Sequence, residues 1–352
     1  GRPYSFGRPS SGGSKAAYPC KSYGQGRINP AYFYGVFDPN DMRRDVSITM
    51  TGSNGKGVEK LIPFVPNSKA EGGGLTLNKW DENRQANPWV AAQRKSGING
   101  PYMRMSEVYL GYAEVCAALG DVVTGKQYLK TVRERSFPQG LANTDAFIAS
   151  FGNDLVRAII EERGFEYAGE GDRRWTLIRS GYLPEDIKRI KDMTKAMMDG
   201  LATKGYYEFE NGNIISAYIW TKLVDAKTIY GHRLTAQCPT DKVNDPVLYP
   251  GWRGQKDNWE EMGLNYGSST PATNLAIKGL FEIVSEEEAA SLESQGYTKV
   301  NWGIDLVDNR DEYDKYLFWD YDYVSAPIYL WPFTPNVMAA GGFTNGYGFK
   351  QE

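Results

Sequence analysis

The sequence predicts a mainly α-helical fold of tetratricopeptide-like helical pairs, an α-solenoid with long irregular loops and a few short strands. From residue 101 to about residue 204, apolar residues recur at the spacing of an amphipathic helix. Glycine and proline interrupt this pattern at short intervals, which predicts helices joined by short turns. Small residues such as Ala113 and Ala117 allow the close helix–helix contact that stacked repeats need.

Composition divides the 352 residues into three predicted parts. Residues 1–100 are rich in Gly, Pro, Ser, Asn and Tyr, which predicts a loop-rich segment. Two β-like runs, 45–50 and 60–65, lie on either side of the turn-forming "GSNGKG". Residues 101–204 form the helical core. Residues 205–352 are expected to be an irregular, aromatic-rich part that packs on the helices.

The pattern predicts five helices within the helical core. They cover residues 102–121, 124–135, 144 to about 168, 172–180 and 184–199. Thr144 is the expected N-cap of the third helix, and Pro184 lies in the first turn of the fifth. These boundaries give helices of about two to seven turns.

The third part of the chain contains one clear helix, over residues 285–296. Ser285 is its expected N-cap, Glu288 completes a capping box, and Gly296 ends it. Residues 205–270 and the tail from residue 301 are expected to be irregular.

The overall composition favours binding over catalysis. A net charge of −3 gives no reason to expect a nucleic-acid partner. His232 is the single histidine, and the three cysteines are far apart, so histidine catalysis and zinc sites are not indicated. The 24 Tyr and 9 Trp residues suit a wet binding surface, because their rings join an apolar face to a polar edge. No apolar run reaches about 18 residues, so no membrane span is predicted.

The first predicted helix, "YMRMSEVYLGYAEVCAALGD", places Glu107 and Glu114 seven residues apart. In a helix this separation is about 10 Å along the axis. Glycosidases hold their two carboxylates about 5 Å or about 6.5–9.5 Å apart. Metal ligands lie about 2–2.6 Å from the ion, so the two carboxylates do not bridge one. The pair therefore indicates a structural role.

A structural ion network accounts for these glutamates. The stretch "EERGFEYAGEGDRRWTLIRSG" repeats glutamate every fourth residue and follows it with arginines, which can neutralise carboxylates on a neighbouring helix. The predicted network contains Arg104, Glu107, Glu114, Glu162, Arg163, Glu166, Glu170, Arg173 and Arg179.

Four stretches, in this order, resemble the SusD/RagB family. They are "YMRMSEVYLGYAEVCAALGD", "YLKTVRERSF", "IIEERGFEYAGEGDRRWTLIRSG" and "PIYLWPFTPNVMAAGGFTNGYGF". The resemblance covers roughly residues 100–350, while residues 1–100, with "RRD" at 43–45, fit loosely. Thr176 stands where the family usually has Asp, which predicts the loss of one salt bridge. Phe333 and Thr334 also depart from the family's closing segment.

The resemblance implies a SusD-like fold and a non-enzymatic role at the bacterial outer membrane. Members are lipid-anchored and capture oligosaccharides or polysaccharides for a SusC-like TonB-dependent transporter. Members are also longer, so the chain is expected to be a C-terminal part whose N-terminal repeats and lipid anchor are absent. Those repeats would cover apolar surface on the helices. No cofactor is expected.

The family binds glycans through variable loops, so the loops before the first conserved helix are the expected binding face. These loops are "KSYGQGRINPAYFYGVF" and "NKWDENRQANPW". The candidate carbohydrate-binding residues are Tyr23, Arg27, Asn29, Tyr32, Tyr34, Trp80, Asp81 and Trp89.

Two other functions stay open at the level of sequence. A glycoside hydrolase would need two carboxylates, which Asp305, Asp308, Asp311 and Glu312 could supply. The same acidic cluster could bind Ca²⁺, although it lacks the spacing of an EF-hand loop. A protein-interaction scaffold is the third possibility, because helical repeats present concave surfaces.

Overall fold

A computed structural model describes residues 22–53, 59–62, 64, 74–80, 100–225, 273–311 and 334–342. Its N-terminal part contains two short helices, α1 (Pro30–Gly35) and α2 (Arg43–Ser47), and four short strands. The strands are β1 (Ile48–Thr49), β2 (Thr51–Ser53), β3 (Glu59–Leu61) and β4 (Thr76–Leu77). β1 pairs with β4 and β2 with β3, both antiparallel. The first half of the β-like run at 45–50 is therefore helical, because α2 continues to Ser47, and the strand β1 covers only Ile48–Thr49.

The middle of the chain is a succession of helices. They are α3 (Met105–Ala118), α4 (Val122–Glu134), α5 (Thr144–Ala149), α6 (Leu155–Glu166), α7 (Arg173–Ser180) and α8 (Leu183–Lys204). α3 packs on α4 and α6, and α7 packs on α6 and α8. The mainly helical fold is confirmed. The stacking of these helices as a tetratricopeptide-like solenoid stays a prediction.

The sequence predicts one long helix from residue 144 to about residue 168, and this prediction is wrong. The structure has two helices in this range, α5 and α6. Gly152 and Asn153 both have left-handed backbone conformations, with φ of 65° and 64°. A right-handed helix cannot run through two such residues. Asp154 then caps α6 by accepting a hydrogen bond from the backbone N–H of Arg157. The N-cap of α5 is Asn143, one residue before the expected Thr144.

The C-terminal part contains more regular structure than the sequence suggests. Its elements are β5 (Tyr206–Glu208), β6 (Ile214–Ser216), β7 (Tyr218–Asp225), β8 (Thr273–Lys278), α9 (Glu286–Ser294), β9 (Thr298–Asn301), α10 (Gly303–Asp308) and α11 (Pro335–Gly341). β5 and β6 form a hairpin, and β7 is the central strand between β8 and β9. The expected irregular structure is thus wrong for residues 206–208 and 214–225, and the coil expected from residue 301 contains α10 and α11.

The main hydrophobic core draws on all three predicted parts of the chain. It contains Phe33 and Tyr34 of α1, Phe165 of α6, Met198 of α8 and Trp302, which directly precedes α10. A second cluster lies among α3, α4 and α6. Phe33 and Tyr34 therefore anchor α1 in this core.

The helical pair α3–α4 depends on a close approach at Gly125. A Cβ at this position would lie 3.0 Å from the Ala113 carbonyl oxygen and 3.2 Å from Leu155 Cδ2. We expect Gly125→Val to lower the free energy of unfolding by about 1–3 kcal/mol, because the added atoms force the helices apart. Urea denaturation followed by circular dichroism would measure it.

Gly111 is the matched control for this prediction, since it lies in α3 and a Cβ added there would meet no atom within 4 Å. Gly111→Ala should raise stability by up to about 1 kcal/mol through helix propensity alone. A Gly125→Val protein as stable as the Gly111→Ala protein would contradict the close approach.

Candidate functional site

Two of the nominated carbohydrate-binding residues, Tyr34 and Trp80, are buried, and Asn29 and Tyr32 are half-buried with hydrogen bonds to the protein. Tyr34 is fully buried, and its hydroxyl accepts a hydrogen bond of 2.8 Å from Trp302 Nε1. The Tyr32 hydroxyl donates to the Gly164 carbonyl oxygen at 2.9 Å. Asn29 caps α1 and bonds Thr194, while Trp80 is only 5% exposed. The burial of Tyr34 and Trp80 corrects their assignment, because a glycan arriving from solvent does not reach a ring that is buried in the core. The nomination of Asn29 and Tyr32 stays a prediction.

The other nominees have a different status. Tyr23 and Arg27 are half-buried, and Arg27 forms a β-bridge with Thr76. Asp81 and Trp89 lie outside the described residues. The nomination of these four stays a prediction.

All nine residues of the expected ion network take part in ion pairs, and its centre is on α6. Glu162 is fully buried and bonds Arg43 at 2.6 Å and Arg133 at 3.0 Å. Glu166 lies one turn later and bonds Arg43, Arg104 and Arg135. Two buried carboxylates thus face four guanidinium groups, the arrangement in which buried charge is tolerated.

The remaining members pair around this centre. Glu170 bonds Arg104 and Lys79, and Arg179 bonds Glu114. Arg163 bonds Asp172 and lies 3.8 Å from Glu107. Arg173 bonds Glu161 and Asp186. Arg173 therefore binds two carboxylates that the expected network did not contain.

Thr176 compensates for the aspartate expected at its position. Its hydroxyl accepts a hydrogen bond from Arg163 Nε at 3.2 Å and donates one to Asp172 Oδ2 at 2.9 Å. A neutral hydroxyl thus links the guanidinium and carboxylate of the Arg163–Asp172 ion pair.

The predicted network lacked Arg43, Arg133, Arg135 and Lys79. Arg43 lies more than 100 residues before the glutamates that it binds, so no local spacing predicts the contact. The "RRD" stretch was the available signal, because adjacent arginines that become buried need carboxylate partners.

The network shifts the pKa of its ionisable groups. Burial by itself would raise the pKa of Glu166, but the charges of Arg43, Arg135 and Arg104 outweigh it and lower the pKa to about 2. Burial lowers the pKa of Lys79, and the Glu170 carboxylate opposes this effect. Glu166 is accordingly ionised at every physiological pH.

A cleft of about 640 Å³ lies beside this network. It is lined by Gly35, Val36, Asp38, Arg133, Phe147, Ser150, Phe151, Asp154, Arg157, Glu161, Phe165, Tyr182, Glu185, Arg189 and Asn211. The break between α5 and α6 forms one wall, and the residues that follow α1 form another. Its volume is within the range of small-molecule binding sites, about 300–1,000 Å³.

Aromatic rings line the cleft and guanidinium groups stack on them. Phe147 and Phe151 meet edge to face, with ring centroids 5.2 Å apart. Arg133 lies 3.8 Å over the Phe147 ring. Arg157 lies 4.0 Å over the Tyr182 ring. The stacking holds the rings and the cations in fixed positions.

Arg157 has hydrogen-bonding capacity left over. Its Nη2 atom bonds Glu161 at 3.0 Å and Glu185 at 3.2 Å. Its Nη1 atom is buried and has no hydrogen-bond partner within the described part of the chain, although the residue is only 7% exposed. An unpaired buried donor is costly, but the atom is shielded from solvent, so a ligand in the cleft does not contact it.

The cleft has no counterpart among the sequence predictions. Its lining comes from residues 35 to 211, so the surface exists only after folding. The one local signal for the cleft is "SFGND", whose Gly, Asn and Asp favour a turn beside an aromatic residue. The apolar spacing around this stretch predicts instead that it lies in the middle of a helix.

A sequence model of the SusD family matches residues 7–332, which is most of the chain. The chain belongs to the SusD family. It is 28% identical over 160 residues to the SusD-like protein P25 of Formosa agariphila, an alignment that covers 45% of this chain and 26% of the relative. The chain thus spans about a quarter of the length of this curated relative. No solved structure matches it significantly.

This SusD-family chain also has an exposed apolar stripe. Along α3, Met105, Val108, Tyr112 and Val115 recur at spacings of three and four residues and are all exposed. Tyr102 and Leu119 extend the stripe at both ends, with Tyr102 99% exposed. The opposite face of α3 is buried against α4 and α6 through Leu110 and Ala113. An apolar patch of this extent indicates a protein contact.

The acidic residues considered for hydrolysis or calcium lie around α10. Asp305 and Asp308 belong to that helix and Asp311 follows it, whereas Glu312 lies outside the described residues. Burial and the Asp308 charge raise the pKa of Asp305. In the ranges that the structure describes, no three acidic, cysteine or histidine residues are placed to hold a metal. Every helix in those ranges is too short or too polar to cross a membrane.

Proposed function

We propose that this SusD-family chain captures oligosaccharides at the cell surface for import, without catalysing a reaction on them. In this proposal the complete protein is lipid-anchored to the bacterial outer membrane and passes its ligand to a SusC-like TonB-dependent transporter. Family membership supports the class of ligand and the role in uptake. The exposed stripe on α3 supports packing against further helical repeats of the complete protein.

The observation that carries the proposal is the cleft, which combines apolar rings with free hydrogen-bonding capacity. The C–H faces of a sugar ring pack on aromatic rings such as Phe151 and Tyr182. The sugar hydroxyls donate hydrogen bonds, so they can bond carboxylates of the lining such as the exposed Asp154. The volume of the cleft suits a short oligosaccharide.

Hydrolysis is the less supported alternative. The raised pKa of Asp305 is the one property that suits a general acid, and it has burial and a like charge as causes. The aromatic cleft instead lies around α5 and α6, where Glu161 and Glu185 pair with Arg157 and Asp154 caps α6. A reducing-sugar release assay on the oligosaccharides that bind tests this alternative.

Changing the lining of the cleft should weaken glycan binding. Ser150 is exposed on its wall, at the end of α5. We expect Ser150→Trp to weaken oligosaccharide affinity at least about tenfold, because the indole occupies the volume of the ligand. Phe151→Ala should weaken it about three- to tenfold through loss of ring contact. Isothermal titration calorimetry with oligosaccharides that score on a glycan array would measure both.

Two matched variants control for this test. Ala149→Trp adds the same indole to the adjacent exposed position, and Trp175→Ala removes an exposed ring on α7; neither residue lines the cleft. Both should bind as wild type does. If Ser150→Trp also binds as wild type does, the cleft is not the glycan site. The loops that carry Tyr23, Arg27, Asp81 and Trp89 would then be the candidates.

A further inference from the structure

We propose that the cleft prefers uncharged glycans and discriminates against sulfated or carboxylated ones. This inference rests on the proposed function, because it concerns which sugars the same cleft accepts. This preference follows from the arginines and carboxylates that line the cleft and from the partners to which they are already bound.

Each guanidinium group of the cleft is already bound to carboxylates. Arg133 bonds Glu162 at 3.0 Å. Arg157 lies between Glu161 and Glu185. Arg189 bonds Asp186 at 2.6 Å and lies 3.6 Å from Glu161. A sulfate or uronate entering the cleft would have to compete with these fixed carboxylates for every cation of the described lining.

Two carboxylates of the lining have no cation partner within the described residues. Asp154 Oδ1 accepts the backbone N–H of Arg157 at 2.9 Å. Asp38 Oδ1 accepts the backbone N–H and the side-chain amide of Asn40, at 2.8 Å and 3.3 Å. A carboxylate offers about four acceptor positions, so both residues keep capacity toward the cleft. These two groups make the cleft rich in acceptors.

Ligand chemistry follows from this pattern. The lining carries four carboxylates against three guanidinium groups, so its own charge is negative. Sugar hydroxyls are donors and match the free acceptor positions of Asp38 and Asp154. Sulfate and carboxylate groups are acceptors only and would meet like charge at close range. The lining therefore complements neutral, hydroxyl-rich sugars.

A paired glycan panel tests the inference on the full-length protein. The probes are xylo-, manno-, gluco- and galacto-oligosaccharides of four to six sugars, each beside its sulfated derivative, with oligogalacturonate as the carboxylated probe. We expect each bound neutral probe to exceed its sulfated partner in affinity by about tenfold or more. Repulsion between like charges at contact distance supports an affinity difference of this size. Equal or tighter binding of the charged partners overturns the inference and leaves the proposed function standing. Binding of no probe, neutral or charged, overturns the proposed function.

Neutralising the two carboxylates provides a second readout. Asp38→Asn with Asp154→Asn removes two charges, while Asn keeps an acceptor for the N–H groups and still serves as an N-cap at position 154. The preference for neutral over sulfated probes should fall about three- to tenfold. Asp145→Asn is the control, since Asp145 lies on α5 outside the lining and pairs with Lys126. An unchanged preference in the double variant overturns the inference.

Discussion

Glu162→Gln is expected to lower the free energy of unfolding by about 3–5 kcal/mol. Gln has nearly the same shape as Glu but no charge. Glu162 is fully buried and bonds the guanidinium groups of Arg43 and Arg133, which are themselves shielded from solvent. The substitution leaves two buried cations with less compensation, and a buried charge without its partner is far more costly than an exposed one.

Glu114→Gln is the matched control for this prediction. Glu114 also bonds an arginine, Arg179, through two hydrogen bonds, but that arginine is half exposed. We expect a loss of at most about 1 kcal/mol, as for other ion pairs near the surface. Urea denaturation of both variants, with equal slopes, would measure the difference. A Glu162→Gln protein no less stable than the Glu114→Gln protein would show that Arg43 and Arg133 do not depend on this carboxylate.

Stability should also fall in acid because of Glu166. Its carboxyl has a pKa of about 2 in the folded protein against an ordinary value of 4.5. The unfolded chain therefore takes up this proton at a higher pH than the folded protein does. The stabilisation is complete above about pH 4.5 and is lost as the pH falls toward 2. The difference corresponds to about 3 kcal/mol of unfolding free energy.

Glu166→Gln identifies the group that is responsible. The variant has no carboxyl at this position, so it should be less stable than wild type at pH 7 and should lose less stability between pH 4.5 and pH 2. Urea denaturation at half-unit pH steps would show the two curves converging in acid. Parallel curves over this range would assign the acid sensitivity to other carboxyls, such as Asp186, whose pKa the folded protein also lowers.

The sequence predicts those elements whose signals are local. Ser285, Glu288 and Gly296 mark the ends of α9 to within two residues, and Ser285 caps that helix as expected. The periodicity of α3 and α4 also predicts their positions well. Helix ends carry orphan N–H and C=O groups that neighbouring side chains satisfy, so the signals that mark them lie within a few residues.

Local signals also explain the main error in the helical part. Phe147, Phe151 and Leu155 are spaced as in one helix, and this periodicity hides the turn between them. Gly152 and Asn153 adopt left-handed conformations at low cost, and Asp154 offers a ready cap. Two local signals therefore conflict at this point of the sequence, and the turn chemistry prevails over the apolar spacing in the folded chain.

Local sequence signals do not predict the elements that depend on partners far along the chain. β7 pairs with β8, which lies about 50 residues further along the chain, and with β9 beyond it. The cleft likewise joins Asp38, Asp154 and Asn211, which are far apart in sequence. Tyr34 illustrates the same limit, because only the tertiary structure shows that this tyrosine is a core residue bonded to Trp302.

The two sides of α6 have different consequences for how the protein can diversify. Asp154 and Arg157 lie at the end of the helix that opens on the cleft, whereas Glu162 and Glu166 hold the arginines behind it. Under the proposed function, substitutions at Asp154 or Arg157 would change the sugars that the cleft accepts, whereas Glu162 and Glu166 are constrained by the arginines that they hold. One short helix thus carries both residues that can vary with the ligand and residues that the fold constrains.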